Sequence, residues 1–234
     1  MRTPLTVAAV QPPCIALAVA RNVQVHADAV REAQARVIVF PELSLTGYEL
    51  TANAVPLDGA ALAPIVAACK ETGSLTLVGA PVQDDRGRAF IAMLGVDAAG
   101  VRLAYRKTWL GGSEPSHFSP GQGPTVLEVD GWRLGWASAR TPGRPSTRPV
   151  RRPSVSTSTW PDWSTYRRSF RSRRPRAVVI ARTCRAYVAF AGFAGPTGDV
   201  FTETAGSSAA WSPEGLAVAR AGPAAGGSAR ATLF

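Results

Sequence analysis

An α/β sandwich is the fold class this sequence predicts, and three observations carry it. Apolar runs without polar alternation, "VIVF" at 37–40 and "SLTLVGAPV" at 74–82, read as strands covered on both faces. Segments with helical apolar spacing lie between them, the order expected of strands packed beneath helices. The 234 residues, 46% of them hydrophobic, supply one sizeable core and are short for two, so a single domain over 1–234 is expected.

Each element follows from its local pattern. Residues 5–10 are a β-branched and apolar run that reads as the first strand. Val23, Ala27, Val30 and Ala33 recur near helical spacing across 22–36, with Asn22 placed as an N-cap. Residues 60–73 read as a helix ended by Gly73. The strand at 74–82 is followed by the turn "DDRGR", a strand at 89–97, a turn at 98–100 and a further strand leading into "YRKTWL". "VLEVDGWRLGW" at 126–136 predicts two strands joined at Asp130-Gly131. From Ala177 onward the pattern predicts a helix, a strand through "YVAFA", a strand and turn in "AGSSAAWSPEG", and a last strand in "LAVARAG". There is no internal repeat. No run approaches the roughly 20 apolar residues that a membrane span requires, and the polar Gln11-Pro12-Pro13 makes the N-terminal stretch a first strand in preference to a secretory leader.

The formal charge of +10 would ordinarily point to nucleic acid or an anionic surface. Its location argues otherwise. Residues 137–176 hold eleven Arg and a single acid, Asp162, a net of +10, so the rest of the chain is neutral. This window is rich in Pro, Ser and Thr, shows no apolar period, and reads literally as an unpacked segment. Three cysteines, Cys14, Cys69 and Cys184, lack paired spacing and fit a reducing cytoplasm. His26 and His117 are too few for a metal cluster, and neither metal nor cofactor is expected.

Three charged residues stand where chemistry is usually placed. Glu42 follows the buried strand "VIVF" behind Pro41, at the carboxyl end where open α/β sheets hold ligands. Lys107 ends another predicted strand, and Glu114 sits in the Gly/Pro-rich "GGSEPSHFSPG". Taken singly, each also reads as a solvated loop residue.

Together, Pro-Glu-Leu-x-x-x-Gly-Tyr after an apolar strand, Tyr-x-Lys-x-x-Leu, and a Glu followed by Phe-x-Pro-Gly resemble the nitrilase, or carbon-nitrogen hydrolase, superfamily. The opening "VAAVQ", the strand "LTLVGAPV" and the late "YVAFAGFAG" and "TAGSSAAWSPEG" follow in the same order. The resemblance covers about 5–136 and 177 to the end. It implies a four-layer αββα sandwich, commonly paired into a homo-oligomer, in which a Glu-Lys-Cys triad hydrolyses a small amide or carbamoyl compound, less readily a nitrile, with water. On the matching motifs Glu42 is then the general base, Lys107 the cation that stabilises the tetrahedral intermediate, and Glu114 a second, positioning acid.

The resemblance also implies a nucleophilic cysteine just after "GWRLG", near Ser138 and Ala139, and this chain has none there: it reads "RLGWASARTPG". Cys184 falls in a predicted helix outside the motif and reads as structural. The missing thiol and the arginine-rich window begin together. Read one nucleotide earlier, with permitted synonymous codons, "WASARTPG" becomes Leu-Gly-Ile-Cys-Lys-Asp-Thr-Gly, the cysteine codon straddling Ser138 and Ala139. The single codon of Trp136 forces the Gly. The same shift turns "SVSTSTWPDWST" into an apolar strand and "YRRSFRSRRP" into an acidic, helix-forming stretch. The reading is that paired frame errors replaced about 136–175, disrupting a central strand and helix and leaving the chain as written without its nucleophile. Two alternatives stand beside it. One is a catalytically inactive family member. The other is a nucleic-acid-binding module through 140–176, where Arg interleaved with Trp, Tyr and Phe is the composition that tracks single strands. The neutral remainder favours neither nucleic acid nor membrane as a partner.

Overall fold

The computed structural model describes residues 3–136, 154–159, 170–198 and 201–234. They build two six-stranded sheets that pack face to face between helices. In chain order the elements are β1 (Leu5–Gln11), α1 (Val19–Ala33), β2 (Val37–Val39), α2 (Ala63–Thr72), β3 (Leu75–Gln83), β4 (Ala89–Asp97), β5 (Gly100–Arg106), β6 (Val126–Val129) and β7 (Trp132–Trp136), then β8 (Ser154–Thr159), α3 (Phe170–Cys184), β9 (Tyr187–Ala191), β10 (Ala209–Trp211), β11 (Ala217–Arg220) and β12 (Gly227–Leu233). The first sheet runs β12-β1-β2-β3-β4-β5, and the second β11-β10-β9-β8-β7-β6. In each, three central strands are parallel: β1, β2 and β3 in one, β7, β8 and β9 in the other.

The pleat explains the unbroken apolar runs. Leu5, Val7, Ala9, Val37, Val39, Leu75, Leu77 and Met93 face the second sheet, meeting Trp132, Leu134, Ala189 and Ala210. The alternate residues Ala8, Val10, Ile38, Val78, Ala80, Phe90 and Leu94 face α1 and α2. A strand with apolar cover on both sides loses the polar half of its period. On the outer face of the second sheet, Ala177 and Ala181 of α3 pack on Val188, Phe190 and Trp211. The layers therefore run helix, sheet, sheet, helix, the αββα sandwich implied by the motifs.

Several local expectations are refined. Helix α1 begins three residues before Asn22, so Asn22 is no cap; its buried amide instead bonds Ile15 on both sides and donates to the Leu45 carbonyl at 2.9 Å. Gly73 closes α2 in the left-handed conformation, as its position indicates. Asp130 and Gly131 both have positive φ, 49° and 78°, the geometry of a tight hairpin between β6 and β7. Strand β12 went unread because "GSARATL" alternates small inward residues, Ala229 and Ala231, with exposed ones; its antiparallel pairing to β1 decides its structure.

The window 137–176 also departs from the literal reading of an unpacked segment. Its described part contributes β8, which lies between β7 and β9 in parallel register with both, and the first turns of α3. Without a strand there, the facing edges of β7 and β9 would hold unbonded backbone groups, and that demand overrides composition. The sequence supplies it poorly. In this central position β8 reads "SVSTST", and Pro175 stands inside α3, where proline removes a backbone donor and costs about 3 kcal/mol.

Candidate active site

The carboxyl ends of the strands carry the site. After β2 the chain continues extended, Phe40 N–H bonding the Leu77 carbonyl at 2.9 Å, and Pro41 then carries Glu42 across the surface of β3. Gly79 of β3 makes that crossing possible: a Cβ there would collide with the Pro41 carbonyl, the Leu43 nitrogen and the Glu42 Cα. The loop coils around the Leu43 carbonyl, which accepts the N–H groups of Thr46 and Gly47 at 3.0 and 3.1 Å. This turn brings Tyr48 back over Glu42. Leu43 and Tyr48 both hold positive φ, 55° and 64°, so the backbone on either side of the turn is strained.

Lys107 is the first residue after β5. Its N–H bonds the Ile91 carbonyl and its own carbonyl accepts from Gly121, each at 2.8 Å, so both sides of its backbone are fixed. Gly121 ends the Phe-x-Pro-Gly motif and lies flush against the Arg106 carbonyl, where a Cβ would not fit. The motif is thus a brace for the lysine. Glu114 opens a 3-10 turn, Glu114–Ser116, and its Oε2 accepts the Gly111 N–H at 2.8 Å.

These three side chains converge. Lys107 Nζ donates to Glu42 Oε1 at 2.6 Å and to Glu114 Oε1 at 2.8 Å. Tyr48 OH donates to Glu114 Oε1 in a short contact and lies 3.3 Å from Glu42 Oε1. The four are 5%, 5%, 3% and 2% exposed for Glu42, Lys107, Glu114 and Tyr48, so their mutual bonds stand in for water. Burial pushes the Glu42 carboxyl up to about 7; the Lys107 ammonium opposes that rise and the Glu114 charge adds to it. Burial alone would lower the Lys107 ammonium, but the two carboxylates outweigh it and hold the amine charged. Glu42 thus holds a carboxyl raised toward neutrality beside an ammonium that two carboxylates keep charged.

Behind the loop stands a second buried network. His26 lies on the Phe40 ring, centroids 4.2 Å apart, with Nδ1 at 2.6 Å from the Asn22 carbonyl and Nε2 at 2.9 Å from Ser44 Oγ. A carbonyl only accepts, so Nδ1 carries the proton and Nε2 accepts from the Ser44 hydroxyl. Burial holds this imidazole down to about 4, hence neutral.

The sequence reading named Glu42, Lys107 and Glu114, and the structure brings all three together. It missed Tyr48, whose only signal was its place in the Gly-Tyr pair of the first motif, and the His26–Ser44 anchor, which has no local signature. The position expected for the nucleophile, at Ser138 and Ala139, lies outside the described residues. Trp136, the last residue of the strand leading to it, stacks on Tyr105 with ring centroids 5.4 Å apart, and Tyr105 lies two residues before Lys107 in sequence. The cysteines present are placed elsewhere. Cys14 donates to the Ser44 carbonyl and its thiol is pushed up to about 12 by burial; Cys69 bonds Thr76 and the Val96 carbonyl beneath α2; Cys184 ends α3, at the amino end of β9 and away from the carboxyl ends. Among the described residues, no group of three His, Cys, Asp or Glu is arranged to hold a metal, and no helix is long and apolar enough to cross a membrane.

Comparison with known proteins bears on the family and on the fold. The carbon-nitrogen hydrolase family matches residues 6–138. A hydrolase in the pqqF 5′ region of Pseudomonas protegens is 36% identical over 141 residues, 56% of this chain and 50% of that protein. An (R)-stereoselective amidase of a Pseudomonas species is 34% identical over 102 residues, 42% of this chain and 37% of its own length. The chain thus aligns with half or less of these relatives. Among solved structures, XC1258 from Xanthomonas campestris, described as a CN-hydrolase superfamily protein with an arsenic adduct in its active site, superposes with a TM-score of 0.84 at 18% identity, over 99% of this chain and 91% of that one. A variant of the amidase from Nesterenkonia sp. AN1, showing the result of Michael addition of acrylamide at its active-site cysteine, gives 0.79 at 21% identity, over 98% and 93%. At these identities the two structures speak for the fold alone. With more than half of its length matched by the family, the chain belongs to the carbon-nitrogen hydrolases.

Proposed function

We propose that this protein hydrolyses the carbon–nitrogen bond of a small amide or carbamoyl compound, less readily a nitrile, through Glu42, Lys107, Glu114 and a cysteine that the sequence as written lacks. The observation that carries the reading is the buried contact of Lys107 with both Glu42 and Glu114 at 2.6 and 2.8 Å. The (R)-stereoselective amidase relative supports the substrate class.

In the reaction Glu42 takes the proton of the thiol as sulfur attacks the substrate carbon. Lys107 balances the charge that develops on the carbonyl oxygen. Glu42 returns the proton to the leaving nitrogen, the carbon–nitrogen bond breaks, and ammonia or an amine departs from a thioester. Water then attacks the thioester, giving its proton to Glu42, and the acid leaves as the thiol is restored. A carboxyl near neutrality is suited to both transfers, and Glu114 holds the lysine in place throughout.

Three observations support a frame error as the origin of the missing thiol. The family match ends at residue 138, where the arginine-rich window starts. The position of β8 calls for apolar residues and receives "SVSTST", while synonymous codons allow the shifted frame to read Gly-Val-Asp-Val-Tyr-Leu across it. Pro175 stands inside α3, at a position where the shifted frame can be read as helix-forming. If the lesion is in the gene, the chain is an inactive member of its family; if only in the written sequence, the protein carries its cysteine at about position 139. The cysteines present, none of them in a disulfide, fit a cytoplasmic setting, and pairing into a dimer through the sandwich is proposed by resemblance. A nucleic-acid-binding role for 140–176 falls largely on residues outside those described.

The test is to sequence the source DNA across codons 130–180 and assay the cysteine-bearing protein for ammonia release on a broad panel of amides. A Gly-Ile-Cys-Lys-Asp reading with turnover abolished by Lys107→Ala is expected. A cysteine-bearing, folded protein inert on every amide would contradict the hydrolase assignment.

A further inference from the structure

His26 is a buried titratable group that the proposed chemistry leaves unused, and its contacts bracket Glu42. From α1 its ring lies on Phe40, two residues before Glu42, and its Nε2 accepts the hydroxyl of Ser44, two residues after. His26, Phe40 and Ser44 are fully buried, which leaves water no access to either contact. Ser44 has every polar group committed. Its N–H donates to the Pro41 carbonyl at 3.2 Å, its carbonyl accepts the Cys14 thiol at 3.2 Å, and its hydroxyl goes to the imidazole. One residue on, Asn22 of the same helix donates to the Leu45 carbonyl at 2.9 Å, while the Leu45 N–H is held by the Gly79 carbonyl of β3 at 3.1 Å. Asn22 and His26 are one helical turn apart, and the Asn22 carbonyl fixes the ring through Nδ1. The segment carrying Glu42 is therefore seated on one face of α1 as well as on β3.

The seat depends on a neutral ring. Nδ1 carries the proton for Asn22, which leaves Nε2 as the acceptor for Ser44. The groups that meet the imidazole are themselves neutral: the Asn22 carbonyl from α1, the Phe40 ring from the end of β2 and the Ser44 hydroxyl from the loop, with the Cys14 thiol behind Ser44. We propose that His26 is a positioning residue for Glu42: clamped between Phe40 and Ser44, the imidazole holds the carboxyl-bearing segment against Lys107, and without the Ser44 bond Glu42 relaxes away from the lysine toward water. The proposal rests on the reading of Glu42 as the base, but its test needs no turnover.

The protein expressed from its own gene is labelled with ¹³C at the glutamate side-chain carboxyls and ¹⁵N in its two histidine rings, and titrated by NMR. The Glu42 resonance is identified by its loss in Glu42→Gln. His26 should show one tautomer, protonated at Nδ1. Ser44→Ala removes the bond and leaves the imidazole, and His26→Leu removes it from the other side. In each, the Glu42 midpoint should fall from about 7 toward the ordinary carboxyl value by at least about one pH unit, and the double variant should fall no further than either alone. The shifts are read on folded protein, so a loss of global stability does not by itself produce them. A folded Ser44→Ala protein in which Glu42 titrates as in the parent overturns the proposal, and this variant decides the matter if His26→Leu fails to fold. A ring protonated at Nε2, or shifts that add in the double variant, overturn it as well. Absence of amide turnover would contradict the hydrolase reading and leave these titrations unaffected.

Discussion

Glu42 and His26 are both buried, both lie within the same wall of the fold, and they respond to pH in opposite directions. The His26 imidazole is lowered to about 4, so the unfolded chain binds its proton first as pH falls. Its contribution is complete above the unfolded value near 6.5 and is lost progressively down to about 4, to the extent of roughly 3 kcal/mol. Glu42, raised to about 7, behaves the other way: the native state holds its proton more tightly, so stability falls as pH rises from the ordinary carboxyl range to about 7. The two oppose each other between those limits. Replacing His26 by Gln should therefore leave a stability profile, read from urea midpoints, that declines with rising pH through this window without the compensating rise. The same Glu42 value sets the acid limb of turnover. In the cysteine-bearing protein kcat/KM should rise with pH through about 7, because the base must be unprotonated to accept the thiol proton, and Glu42→Gln should remove that limb together with most of the activity, a loss of at least about 100-fold.

Among the elements, the loop from Pro41 to Tyr48 depends on a strand residue that has no side chain. Gly79→Ala would place a methyl group against the backbone of Pro41, Glu42 and Leu43, none of which can rotate away. An expected loss of about 1–3 kcal/mol in thermal unfolding, accompanied by loss of the Glu42–Lys107 contact, checks this. A melting curve unchanged from the parent would show that the loop has slack the structure does not display. This dependence also explains what the sequence made legible. Glu42, Lys107 and Glu114 were readable because each sits in a local motif whose glycines and prolines mark a chain that must turn sharply after a strand. Tyr48 and His26 were not, because their partners come from distant stretches: Glu114 from beyond β5 for the one, and Ser44 from the loop after β2 for the other. Asn22 was misread as a cap for the same reason, since its amide serves a loop carbonyl that only the tertiary structure supplies.

At the scale of the whole molecule, the sandwich was readable from apolar runs that lack alternation, and the structure gives the cause in cores on both faces of β1 to β4. What composition concealed was β8, which closes the second sheet between β7 and β9 with a polar sequence. The sheet imposes a strand where local preference argues against one, and such conflict between levels marks a sequence that does not match its fold. Restoring the shifted frame over 136–175 should raise stability by at least about 3 kcal/mol, the cost of an interior proline alone, and reduce proteolysis in this segment. A restored chain no more stable than the written one would mean that the fold is built to accept the arginine-rich stretch.

The most direct test of the account is peptide mass mapping of the frame-restored protein quenched in acid during turnover of a short amide. The account predicts an acyl adduct on the cysteine immediately after β7, present in the parent and absent in Lys107→Ala. A folded, actively hydrolysing protein with no adduct at that cysteine, or with activity that survives its replacement by alanine, would contradict it.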